Sequence, residues 1–234
     1  MATHEGIDPS TDRDGDVFVI RRPSPRALLG TLVVSLGVLV LLDVAAWASG
    51  RESLERFSLD GEVTVATWWA SVQLLLLGTL FGFVGLCEAR IGRGKAAWTL
   101  TVGAFVAVYF SIDETAAFHE TITATLTARN VFPADSGGIG TWAIVYAVMA
   151  LGLLALTFPG IRSLLSTHRT DTLLVALGGA IFVIGGLMVE MLDFLPVGHG
   201  RVVIEEIPEF AGIAVMVWAT YRMLEDREIR LPVR

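Results

Sequence analysis

Six apolar stretches, each near the ~20 residues that a helix needs to cross the hydrocarbon of a bilayer, recur along this chain. They cover roughly residues 27–48, 66–87, 96–112, 141–158, 172–195 and 202–222. Lipid offers no hydrogen-bond partners, so such a stretch must satisfy its own backbone, and within one segment only a helix does so. A mean hydropathy of +0.64 with 53% hydrophobic residues fits the same reading. The expected fold class is all-α: a polytopic integral membrane helical bundle of about six transmembrane helices.

The first stretch is about 22 residues, longer than the apolar core of a signal peptide, and is read as a retained span. Residues 1–20 are expected to be a disordered cytoplasmic tail, 21–224 the six-span domain, and 225–234 a second cytoplasmic tail. Lysine and arginine placement orients the bundle. Thirteen of the 17 fall in the two tails and in the loops after the second and fourth stretches, against Arg51, Arg56, Arg129 and Arg201 on the opposite side. Both termini are expected in the cytoplasm of a cell-membrane protein.

Several local features follow. Residues 51–60 suggest a short interfacial helix, with Leu54 and Phe57 three apart between charges. The third span is expected to run on as helix to Ala128, because no breaker precedes Asn130 and Pro133. Pro208 falls inside the last helix and frees the carbonyl of Ile204. Gly78 and Gly82, and Gly178, Gly179, Gly185 and Gly186, mark faces for close helix packing. Trp47, Trp68, Trp69 and Trp142 suit an aromatic belt at the outer boundary.

The chemistry is carried by acids. Asp113, Glu114, His119 and Glu120 end the third span; Glu190 and Asp193 end the fifth; Glu205, Glu206 and Glu209 begin the sixth. With the tails inside, all three groups reach the outer face, together with Asp43 and His199. In one continuous helix Asp113 and Glu120 would lie within about 20° of each other, with His119 about 100° from Glu120. Nine carboxylates then face only Arg129 and Arg201. Crowded carboxylates in low dielectric need a cation or shared protons.

The expected metal ligands are His119, Glu120, Glu190, Asp193, Glu205 and Glu206, with Asp113 or Glu209 as general base. The expected cofactor is a divalent metal ion: Fe, Mn, Zn or Mg. Such a site suits a membrane-embedded metalloenzyme acting on a lipid or amphipathic substrate. The alternatives are a cation- or proton-coupled transporter and a non-catalytic accessory subunit. Bland readings stand beside these: acids at helix ends are cheap in water, and a backbone donor could hold Asp43. Glu88 is the single candidate in the cytoplasmic halves of the spans, and the cytoplasmic His4 and His168 are assigned no role.

Membrane lipid is the expected partner, and a net charge of −7 argues against nucleic acid. Cys87 stands alone, which excludes an internal disulfide and a thiolate cage. The acidic, one-lysine composition suits a prokaryotic, halophilic setting. Nucleophile-elbow, phosphate-loop and dinucleotide motifs are absent, and neither His119 nor His199 has the Glu-x-x-His spacing of four-helix di-metal proteins.

Overall fold

Helix α1 (Pro25–Ser49) starts where Ser24 accepts the Ala27 amide at 3.2 Å and Pro25 supplies a preset φ. It ends at Gly50, left-handed at φ 57°. A 3-10 helix (Glu52–Phe57) follows, in the segment expected to be a short interfacial helix. Then come α2 (Val65–Arg90), α3 (Gly94–Ala116), α4 (Phe118–Ala128), α5 (Thr141–Thr167), α6 (Arg169–Val183) and α7 (His199–Arg222). A π-helical turn, Ile184–Met188, prolongs α6. These elements belong to a computed structural model that describes residues 17–19, 23–50, 52–59, 64–129, 141–188, 199–225 and 230–232.

The architecture is an all-helical bundle, and five helices are long and apolar enough to cross a membrane: α1, α2, α3, α5 and α6 with its extension. Helix α7 is equally long but carries Glu205, Glu206 and Glu209, and it occupies the middle. It packs against α1, α2 and α6. Its Phe210, Ile213, Ala214 and Val217 form an i, i+3, i+4, i+7 stripe that is buried. The most apolar helices, α1 and α5, turn large side chains outward, with Leu41 70% and Leu151 67% exposed. A bundle in water would reverse this arrangement.

Small residues set the closest approaches, as membrane helices require. A Cβ at Gly178 of α6 would sit 2.7 Å from the Gly212 carbonyl of α7; one at Gly212 would sit 2.6 Å from the Gly178 carbonyl. On α2 the tight position is Gly78, where a Cβ would meet Val108 at 2.9 Å. Its expected partner Gly82 has only Ala104 at 4.0 Å, and Gly85, two turns from Gly78, takes the second contact against Leu100.

One local expectation meets a different structure. The helix expected to run unbroken to Ala128 stops at Ala117, which is left-handed at φ 49°, and restarts as α4. Short pieces of the two polar tails, β1 (Val17–Val19) and β2 (Arg230–Pro232), pair antiparallel. Pro208 lies inside α7, as expected. Asp43 takes the structural role: it is buried and accepts the Leu59 amide at 2.9 Å, tying the end of the 3-10 segment to α1.

Candidate functional site

The break at Ala117 builds the centre of the site. The Ala117 amide donates to the Asp113 carbonyl at 2.8 Å, and this closes α3. The chain then turns so that the His119 amide donates to Asp113 Oδ1 at 3.0 Å. Asp113 thus serves α4 as a capping acceptor would, satisfying one of its unpaired first-turn amides. Its second oxygen, Oδ2, accepts the Tyr146 hydroxyl at 3.0 Å and lies 3.4 Å from His119 Nδ1. Tyr146 has one proton and gives it to Asp113, so the Tyr109 hydroxyl, 2.8 Å away, donates to Tyr146.

This order corrects the continuous-helix geometry. The break resets the helical phase, so His119 and not Glu120 shares a seam with Asp113. Asp113 is 5% exposed and surrounded by donors, which makes it a holder of His119 rather than a free base. His119 is partly exposed and Glu120 is exposed. The hydrogen bond to Asp113 raises the His119 pKa above its ordinary value; burial opposes this, and the charges of Asp113, Glu120 and Glu114 add to it. Neutral His119 carries its proton on Nδ1, toward Asp113, so Nε2 is the basic nitrogen of the ring.

Aromatic rings fix this centre in place. Tyr109 stacks on Phe118 at 6.3 Å, and Phe110 meets Tyr146 at 5.7 Å and Phe182 at 5.9 Å, both edge-on. The Phe110–Phe182 contact lies about one turn below Asp113 on α3 and below Gly186 beyond α6. A Cβ at Gly186 would meet Glu209 Oε1 at 2.6 Å, and one at Gly185 would meet the Glu205 carbonyl and Glu209 Cγ, each at 2.9 Å. Glycine at both positions lets Glu209 lie along the π-helical turn, at a height similar to that of Asp113. Glu205, Glu206 and Glu209 are partly buried. Glu190 and Asp193 lie outside the described residues, and among the described residues no group of three or more His, Cys, Asp or Glu is arranged to hold a metal ion.

A second acid–histidine pair sits at the opposite end of the bundle. Glu88 is fully buried; Oε2 is 3.3 Å from an Arg93 guanidinium nitrogen and Oε1 3.3 Å from His168 Nε2. It joins the α2–α3 turn to the α5–α6 turn. Spacing could not reveal the partnership, because 80 residues separate Glu88 from His168. The usable signal was a carboxylate inside an apolar helix end, which needs a partner to be buried at all. Tyr109 and Tyr146 were missed for a related reason, since an aromatic in a span reads as packing until a buried acid is found against it.

No curated protein and no solved structure matches the chain. A family profile does, over residues 27–223, from the start of α1 to just past α7. The matched region contains both acid–histidine pairs and every helix of the bundle. The chain belongs to the family described as Domain of unknown function (DUF8692).

Proposed function

We propose that this is a six-span protein of the cell membrane, with α7 as the sixth span and both termini in the cytoplasm. Its outward-facing Asp113–His119 centre would be the working site of a membrane enzyme acting on a lipid or another amphipathic substrate. Pairing of the two tail strands and the hydrogen bond from Tyr221 to the Pro23 carbonyl at 2.7 Å support termini on one side. The excess of basic residues in the tails and around the α2–α3 and α5–α6 turns supports the cytoplasmic assignment.

One observation carries the functional reading: a buried carboxylate holds His119 at Nδ1, which makes Nε2 the basic nitrogen of the neutral ring. That arrangement fixes the tautomer of a histidine used as a base or as a metal ligand. A divalent ion on Nε2 would also relieve the excess of acids nearby, with Glu120, Glu205, Glu206, Glu190 and Asp193 as candidate oxygen donors and Glu209 as general base. An imidazole in the set favours Zn, Fe or Mn over Mg.

The test compares wild-type protein with His119→Gln, Glu206→Gln and Glu190→Gln. Each is analysed for bound metal, then incubated with vesicles of a total lipid extract whose products are followed by mass spectrometry. A product formed by wild type and lost in His119→Gln supports the enzyme; stoichiometric metal lost in the variants adds the ion. Absence of any His119-dependent product overturns the enzymatic reading. The buried Glu88–His168 pair at the other end favours one competitor, a cation- or proton-coupled carrier, which cation-dependent uptake into sealed vesicles would identify.

A further inference from the structure

We infer that the groove between the first turn of α3 and the Pro159–Gly160 step of α5 binds an anionic phospholipid of the cytoplasmic leaflet. Gly160 brings the two helices into contact: a Cβ there would collide with the Lys95 carbonyl and Thr99 Oγ1. Thr99 Oγ1 donates to the Thr157 carbonyl at 3.0 Å beside it. Next to this junction lies an open groove of about 300 Å³ lined by Gly94, Lys95, Trp98, Leu156, Pro159 and Gly160.

Two chemistries meet along it. Trp98 is 52% exposed and Leu156 57%, so its wall is apolar and faces outward from the bundle, where hydrocarbon lies. Its end carries Lys95, which is exposed and is the only lysine of the chain. Arg90, Arg93 and Arg162 stand in the same two segments, a basic concentration in a chain of net charge −7. Within 88–98 and 156–168 the single acid is Glu88, which is buried and engaged with Arg93 and His168.

Helix α3 begins at Arg93 with no side-chain cap, so the positive end of its dipole adds to the lysine. An ammonium beside an interfacial tryptophan matches a phosphate headgroup above an acyl chain. A soluble anion would use the basic end and leave the apolar wall unmatched. The inference rests on the six-span orientation but on neither the metal nor the outward-facing site.

The test uses the full chain in nanodiscs of equal phosphatidylglycerol and phosphatidylcholine, with chelator present, read by native mass spectrometry for retained lipid. Wild type is expected to retain phosphatidylglycerol about fivefold over phosphatidylcholine, the preference that one basic residue near a membrane surface contributes. Lys95→Ala should lose the preference, Lys95→Glu should reverse it, and Lys95→Arg should keep it. Arg56→Ala, on the opposite side, should behave as wild type. Melting in phosphatidylcholine alone reports whether each variant is folded. Equal retention of both lipids by wild type overturns the inference, as does a folded Lys95→Glu protein with its preference intact. Lys95-dependent retention of free glycerol phosphate overturns the assignment to a lipid.

Discussion

Asp113→Asn separates the role of the Asp113 carboxylate from its shape. Three donors converge on it: the His119 amide at 3.0 Å, the Tyr146 hydroxyl at 3.0 Å and His119 Nδ1 at 3.4 Å. Asparagine offers one acceptor oxygen and turns an amino group toward the remaining donors. Charge-assisted hydrogen bonds are worth about 1.5–3 kcal/mol each, and the part involving the His119 ring is discounted because that ring is a third exposed. The expected loss is about 2–4 kcal/mol, seen as a lower melting temperature in detergent and as faster amide exchange in the first turn of α4.

The pH dependence gives a second readout. The folded-state pKa of His119 is raised, so the pair's contribution is complete below the unfolded histidine value near 6.5 and fades as pH climbs through the folded value. In Asp113→Asn, imidazole NMR should show His119 titrating at lower pH, and that fading should disappear from the melting curve. A His119→Gln sample assigns the resonance among the four histidines. An unchanged titration with unchanged melting would refute the pairing and the reading built on it.

Two further outcomes test the bundle. Gly212→Ala puts a Cβ 2.6 Å from both the Gly178 carbonyl and the Phe182 amide nitrogen, so thermal stability should fall by roughly 1–3 kcal/mol through overpacking; Gly82→Ala, with only Ala104 at 4.0 Å, should be nearly neutral in the same assay. Glu88→Gln keeps the volume but removes the charge facing Arg93 and His168, and should cost about 1–3 kcal/mol in melting experiments, with protease cleavage easing at the α2–α3 and α5–α6 turns.

Much of the bundle was legible because hydropathy reports directly on the medium around a helix. Five of the six expected stretches are helices apolar and long enough to span, and the glycines expected at interfaces include Gly78, Gly178 and Gly185, which meet neighbouring backbone or side chains. Helix α7 shows the limit of that reasoning. Its hydropathy is diluted by three glutamates, yet among its described side chains only Ile204 is exposed, because α1, α2 and α6 pack around it.

The sequence by itself determined that apolar helices dominate, that acids gather at their ends, and that His119 stands among them. Which acid serves His119 was decided only by the tertiary structure. A single left-handed residue, Ala117, ends α3 and turns the His119 amide back onto Asp113, so a phase computed for an unbroken helix selects Glu120 where the fold selects His119. Tyr146 and His168 reach their carboxylates from 33 and 80 residues away. Periodicity describes one helix at a time; a buried charge finds its partners on whichever helix packing brings beside it.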